Sequence, residues 1–350
     1  MNKPSVTNRL LSRPKVLVLG NGILRAFGNG ARGCQDLEAL ICKVAGVEPL
    51  KDEEKLKNDE LSLIPFPMRL AASLLKKRDQ EKKLETAVKD LIFKQKMGEA
   101  TANELLCNSG IIAFRPFTDL LEAGFTDVIT TNYGYEIEEV LCGKSPTFAK
   151  IKNDFYRNCI FPKKLGITER KYKIWKHYLS RTTETRIWHI HGEYLRPHSI
   201  IFEYADYCSF LAKVKKPPHL EKDKNSEDGT PIRWIDAFVT GDIYILGFGA
   251  AFCEQVFWML MERKKRKGPQ YGKVLFYEPE LEYFEKDKLI KNQQQQAVLG
   301  MMRAFGAVPR NMGMTITKDS QFKEFYKKAC EDIIAEVKGS TNSCESSERK

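Results

Sequence analysis

The sequence predicts an α/β fold, a Rossmann-like parallel sheet flanked by helices. Its strand-like segments are continuous apolar runs, which is typical of parallel strands because both of their faces are buried. These runs also lie too far apart for a β-sandwich, so helices are expected between them. The runs are KVLVLG (15–20), DVITTN (127–132), IWHIHG (187–192), DIYILGF (242–248) and KVLFYEP (273–279), with SIIF (199–202) and MTIT (314–317) as shorter candidates.

Two insertions interrupt the predicted sheet, a helical one after the first strand and a second one before the IWHIHG strand. The first covers about 34–123, and the second, which is basic and aromatic, covers about 145–186 and is also predicted to be helical. Candidate helices in the first insertion are 34–46, 67–77, 80–97 and 115–123. Residues 1–338 thus form one predicted domain, and the polar tail 339–350 is predicted to be disordered.

The composition is that of a soluble globular protein, since 42% of the 350 residues are hydrophobic and 11% are aromatic. No apolar run approaches the roughly 18–20 residues that span a bilayer, and the first residues lack the apolar core of a signal peptide. We therefore expect a cytoplasmic or nuclear protein without a membrane partner. The nine cysteines include no CxxC pair, so neither a zinc site nor a disulfide framework is expected.

A net charge of +11 favours a polyanionic partner or substrate. The densest basic segment is ERKKRKG (262–268), which follows a helix-like apolar segment. We interpret it as the solvated C-terminus of a helix, with a contact surface for nucleic acid or an acidic protein as the alternative.

A glycine-rich turn, Gly20-Asn21-Gly22, follows the first predicted strand. Backbone N–H groups at such a turn can hold a phosphate where a helix begins. The full G-x-G-x-x-G fingerprint is absent because Arg25 occupies its last position, so a purely structural turn is an equal alternative.

Polar side chains end two other predicted strands. Asn132 ends the second strand, and His189 and His191 end the IWHIHG strand, where their spacing points both to one face. Ligands of open α/β sheets bind at the carboxyl ends of the strands. As alternatives, Asn132 caps a helix or forms an Asx-turn, and each histidine is a core residue. These residues predict a polar site of nucleotide size and no particular reaction.

Five short motifs in this order resemble the sirtuin-like NADase family of bacterial anti-phage defence systems. That family typically has a Gly-rich first turn, then TTNYD-x-x-IE, HxHG and S-I-x-x-x-x-x-DY segments, and a late strand that ends in G-[YF]-[SG]. The resemblance spans about residues 14–280, and the two insertions match least. In this chain the motifs are LVLGNG, ITTNYGYEIE, IWHIHGE, SIIFEYADY and IYILGFG.

The resemblance implies that NAD is a substrate and that the bond between nicotinamide and ribose is cleaved. Asn132 matches the asparagine that orders the ribose and the water, and His191 matches the histidine that acts as general base. Asp206 and Tyr207 match the DY pair, which we interpret as structural. The implied nucleotide contacts are Gly20, Asn21 and Gly22 at the diphosphate, Thr131 and Tyr133 beside Asn132, and Gly247, Phe248 and Gly249 near the adenosine half.

The chain also departs from its relatives. It lacks the four-cysteine zinc module and the G-I-P-D-F-R loop of deacylating sirtuins, so protein deacylation is not expected and no zinc is expected. Gly134 stands where relatives have an acid that grips the nicotinamide carboxamide, and Tyr135, Glu136 or an insertion residue are candidate replacements. The loop GFGAAF lacks the usual serine and aspartate. A second hypothesis is therefore an NAD- or ADP-ribose-binding sensor, or a regulatory subunit, without efficient turnover.

An enzyme that depletes NAD must be restrained in a healthy cell. We therefore expect a homo-oligomer, a partner defence protein, or both, with the basic residues Arg263 to Lys267 as one candidate contact surface. Nucleic-acid binding through the same basic surface is a third hypothesis, which predicts an affinity that falls steeply with salt. The sequence does not distinguish NAD from NADP.

Overall fold

The computed structural model describes residues 13–27, 42, 68, 113–134, 136–142, 174–180, 183–192, 201, 204–214, 234–285 and 288–347. Its strands are β1 (Lys15–Leu19), β2 (Asp127–Thr130), β3 (Ile174–Ser180), β4 (Thr183–His189), β5 (Asp242–Leu246), β6 (Val274–Tyr277), β7 (Glu280–Glu285), β8 (Lys288–Lys291), β9 (Val308–Arg310) and β10 (Thr315–Ile316). Its helices are α1 (Asn21–Phe27), α2 (Arg115–Leu121), α3 (Glu136–Cys142), α4 (Tyr204–Val214), α5 (Trp234–Thr240), α6 (Gln255–Lys267), α7 (Gln293–Ala304) and α8 (Phe322–Ser347).

A seven-stranded sheet with the order β3-β4-β2-β1-β5-β6-β9 forms the centre of the described structure. Strand β3 is antiparallel to β4, and the other neighbouring pairs are parallel. When the six parallel strands are numbered along the chain, their order is 3-2-1-4-5-6, which is the Rossmann arrangement. The prediction of a Rossmann-like parallel sheet flanked by helices is therefore confirmed. A separate three-stranded sheet has the order β10-β7-β8.

Alternate residues of the central strand supply two cores, one on each face of the sheet. In β1, Val16 and Val18 join the core on one side, where α5 and α6 also contribute buried residues. Leu17 and Leu19 join the core on the other side, where α1, α2 and α8 pack. Burial on both faces is why these strands read as continuous apolar runs and not as alternating ones. Among the helices of the described residues, none is long and apolar enough to cross a membrane.

Two predictions differ from the structure. Residues 174–180, placed in a helical insertion, form strand β3, which pairs with β4 as a hairpin. This hairpin satisfies the backbone groups at the open edge of β4, and its aromatic and branched residues favour extended structure. Helix α8 continues to Ser347, so it includes part of the tail 339–350 that was expected to be disordered. Within the predicted first insertion, the helix at 115–123 is confirmed as α2, whereas 34–46, 67–77 and 80–97 lie almost wholly outside the described residues.

Candidate active site

The candidate site lies at the carboxyl ends of β1, β2, β4 and β5. Sheet order reverses at β1, because the chain adds β2 and β4 on one side of it and β5 and β6 on the other. Such a switch point leaves a crevice at the strand ends, and ligands of doubly wound folds bind there. The predicted residues Gly20, Asn132, His191 and Gly247 follow these four strands.

The glycine-rich turn packs directly against the loop after β5. The N–H of Gly20 donates to the Leu246 carbonyl at 3.0 Å, and the N–H of Gly22 donates to the Gly247 carbonyl at 2.8 Å. A β-carbon on Gly20 would lie 2.3 Å from the Gly247 oxygen, so only glycine fits there. Close packing between two loops thus accounts for Gly20 and Gly22, and their role at a diphosphate stays a prediction. Asn21 begins α1.

Asn132 links the ends of two neighbouring strands. Its side-chain nitrogen donates to the Gly20 carbonyl at 3.3 Å, and its backbone N–H donates to the Thr130 hydroxyl at 3.0 Å. The amide is half-buried and fixed against the glycine-rich turn, so its position is set by the fold. Thr131, next to it, donates its N–H to the Leu19 carbonyl at 3.3 Å.

His189 connects the end of β4 to the start of α3. Its Nδ1 lies 3.0 Å from the Asn132 carbonyl and its Nε2 lies 2.7 Å from Oε1 of Glu138. A carbonyl only accepts hydrogen bonds, so Nδ1 carries a proton, and the proton at the other end is shared between Nε2 and the carboxyl group. His189 is 3% exposed and Glu138 is fully buried. This first histidine of the HIHG motif therefore anchors the segment that carries Asn132.

His191 faces a different acid. Its Nε2 lies 3.2 Å from Oε2 of Glu254, but the angles do not make a hydrogen bond, and this buried nitrogen has no aligned partner among the described residues. The imidazole is also packed edge-on against Tyr207, with ring centroids 5.4 Å apart. Buried polar atoms of native proteins are nearly always hydrogen-bonded, so an exception indicates a group held for function.

Tyr207 and Tyr133 brace the segment around His191. The hydroxyl of Tyr207, on α4, donates to Oε1 of Glu254 at 3.4 Å. The hydroxyl of Tyr133 donates to the Ile201 carbonyl at 2.8 Å, while the N–H of Ile201 donates to the His191 carbonyl at 2.8 Å. Both contacts are supporting ones, which agrees with the structural interpretation of Tyr207.

A narrow, mostly apolar pocket lies beside these groups. Phe248 is buried in its wall and packs against Phe257 with ring centroids 4.9 Å apart, whereas Gly249 is exposed. Thr131 and Glu254 are its polar lining residues among those that the structure describes. The remaining lining residues are Val18, Ile129, Ile190, Phe210, Trp234, Phe238, Val256 and Leu260.

Glu254 was missed by sequence reasoning. It precedes α6, yet its carboxylate does not cap that helix. Sixty-odd residues separate it from His191 along the chain, so only the fold brings the two together. The available signal was an acid at the end of the loop after β5, at the same sheet edge as the predicted site.

Glu278, at the carboxyl end of β6, is a second acid that sequence reasoning missed. Burial raises the pKa of its carboxyl to about 7, although a hydrogen bond from Gln295 opposes that rise. The Gln295 side-chain nitrogen donates to Glu278 at 3.0 Å and to the Pro279 carbonyl at 2.8 Å. The carboxyl ends of the strands thus collect several costly polar groups.

The predicted basic surface on α6 is wrong for Lys264. Its amine is buried and donates to the carbonyls of Val239, Gly241 and Tyr271, and burial lowers the pKa of this amine to about 8. The neighbouring bases Lys265, Arg266 and Lys267 are exposed, as a solvated helix end requires, and Arg266 pairs with Glu262.

Comparison with known proteins assigns the family. Residues 126–292 match the model of the SIR2-like domain. The chain contains a SIR2-like domain. This match covers just under half of the chain and includes the segments of Asn132, His191 and Glu254, while the glycine-rich turn lies outside it. SIR2-like domains belong to a family of NAD-dependent enzymes, so an NAD-related activity is expected.

No curated protein matches the chain. Among the described residues, no cluster of three or more histidines, cysteines or acids has the arrangement of a metal site.

Proposed function

We propose that this SIR2-like protein is an NAD glycohydrolase, which cleaves the bond between nicotinamide and ribose. The observation that carries the proposal is His191, a buried imidazole whose Nε2 has no aligned hydrogen bond among the described residues. It stands at the strand-end crevice where nucleotides bind in this architecture. Asn132 occupies the end of the neighbouring strand, held by the Gly20 carbonyl.

The chemistry needs little from the protein beyond positioning and one base. When the glycosidic bond breaks, its electron pair moves to the nicotinamide nitrogen and neutralises the cationic ring, so the leaving group needs no proton. The ribosyl carbon becomes an oxocarbenium-like centre, as in glycoside hydrolysis. Water then attacks that carbon, and His191 accepts the proton that the water loses. A general base of this kind contributes about 10²–10⁴-fold to the rate.

Asn132 serves as the orienting group in this proposal. An amide can hold a ribose hydroxyl and a water without adding charge to the site. Its attachment to the Gly20 carbonyl and to His189 keeps that amide in place before substrate arrives, which lowers the entropic cost of reaching the reactive geometry.

We place this activity in an NAD-depleting effector of anti-phage defence that is switched by self-association or by a partner protein. The resemblance to sirtuin-like defence NADases supports the setting. A cell cannot tolerate unrestrained NAD loss, and that need supports the switch.

A binding function without turnover is the second candidate. The N–H groups of Gly20 and Gly22 are already bonded to the loop after β5, and Gly134 offers no acid to the nicotinamide. Both observations favour a sensor that holds NAD or ADP-ribose and passes a signal to a partner.

Following free nicotinamide during incubation of the purified protein with NAD separates the two functions. The assay is run with and without the neighbouring gene products, and NAD binding is measured in parallel. Release supports the enzyme, binding without release under any condition supports the sensor, and neither binding nor release contradicts both.

A further inference from the structure

The carboxylate of Glu254 is free to meet a ligand. It precedes α6 without capping it, and its side chain is 13% exposed. One of its oxygens lies 3.2 Å from Nε2 of His191, and the other accepts a long hydrogen bond, 3.4 Å, from Tyr207. Neither contact is a well-aligned bond of normal length, so the carboxylate retains acceptor capacity at the centre of the site.

The surroundings of Glu254 select the chemistry that it can accept. Phe248, Phe257 and Trp234 supply aromatic walls to the pocket that Glu254 lines. A group that enters such a pocket is flat and mostly apolar, and beside a carboxylate it gains from an N–H donor or a positive charge. A ligand that brings a second carboxylate is repelled there, because like charges with little water between them cost several kcal/mol.

Nicotinamide in NAD meets each of these requirements. Its ring is flat, it is cationic while bonded to ribose, and its carboxamide offers two N–H donors. We propose that Glu254 recognises this carboxamide and makes the site select NAD over nicotinic acid adenine dinucleotide, which has a carboxylate in its place. The inference rests on the proposed function, since it assigns the specificity of the same site. The pocket is narrow, so the ring enters only if side chains such as Phe248 move aside.

Glu254 also supplies what position 134 lacks. Gly134 is buried and has no side chain to offer a ligand. Glu254 reaches the same histidine from the start of α6, on the other side of the crevice. An acid contributed by a different element therefore replaces the acid that the TTNYG segment has lost.

Comparing the two dinucleotides on Glu254→Gln tests this inference. Glutamine keeps the shape and the acceptor for Tyr207 but removes the charge. We expect the wild-type protein to prefer NAD by about 100-fold or more in kcat/KM, and Glu254→Gln to narrow that preference to about tenfold or less. Glu262→Gln, on the same helix and half-exposed beside Arg266, is the matched control and keeps the wild-type ratio.

Each outcome of this comparison has one meaning. A preference that is unchanged in Glu254→Gln overturns the inference while leaving the hydrolase intact. An equal loss of kcat with both dinucleotides also overturns it, because Glu254 then acts through His191. Binding of the two dinucleotides, measured by calorimetry, applies the same test to a protein without turnover. A wild-type protein that neither binds nor cleaves NAD contradicts the proposed function itself.

Discussion

The two ends of the β2–β4 strand pair treat their buried polar groups in opposite ways. At the amino end, Asp127 is fully buried and accepts two bonds from Arg186 at 2.8 Å each, one from Trp188 at 2.9 Å and one from Thr126 at 2.8 Å. At the carboxyl end, Glu138 and His191 each keep a buried atom without an aligned partner among the described residues.

This difference separates stability from function within one pair of strands. A buried charge that is fully bonded holds a fold together, and losing its partner is costly. A buried polar atom without a partner costs free energy of folding, about 1–3 kcal/mol, and persists where a ligand or a proton uses it. We therefore assign the amino end to folding and the carboxyl end to chemistry.

The largest effect on stability is expected from Asp127→Ala. This change leaves the Arg186 guanidinium and the Trp188 indole N–H buried without their acceptor, and such a loss costs about 3–5 kcal/mol. Urea unfolding measures it. Asp119→Ala, which breaks an exposed pair with Arg115 on α2, is the control and is expected to cost less than about 1 kcal/mol. Equal losses from the two variants would contradict the assignment of the amino end to folding.

Gly20→Ala is expected to have an intermediate effect. The added methyl group would meet the backbone of Gly247 and Phe248 at 2.3–2.4 Å, and a backbone atom cannot turn aside as a side chain can. Overpacking of this kind costs about 1–3 kcal/mol. The matched variant is Gly249→Ala, whose methyl group meets nothing within 4 Å. Thermal unfolding compares them, and a Gly20→Ala protein as stable as Gly249→Ala would show that the two loops are not tightly packed.

Glu278→Gln is expected to have the smallest effect, and the effect depends on pH. Because the pKa of Glu278 is raised from 4.5 to about 7, the folded state holds this proton more tightly than the unfolded state does. Stability therefore falls as pH rises through that window. The variant escapes this loss, so it should be more stable than the wild type by about 1–2 kcal/mol above pH 7 and similar to it near pH 4.5. A difference that is independent of pH would contradict the account.

The sequence predicted the sheet because its strands are buried on both faces and stand out as apolar runs. It also placed Asn132 and His191 at one edge, since the carboxyl ends of parallel strands meet there. The contact between His191 and Glu254 was out of reach, because it depends on how β4 and α6 pack.

Local signals also misled the sequence reasoning in two places. Residues 174–180 gave no strand signal that separated them from a helix, and only the open edge of β4 explains their pairing. The burial of Lys264 within a run of five basic residues depends on carbonyls supplied by α5 and by the turn after α6.

The most direct test of the account measures nicotinamide release and the free energy of unfolding together for the wild type and for His191→Ala. We predict that release falls by about 10²–10⁴-fold while unfolding changes little, because the lost imidazole nitrogen had no aligned hydrogen bond to give up. Release that persists at the wild-type rate in a stably folded His191→Ala protein would contradict the assignment of this strand end as the active site.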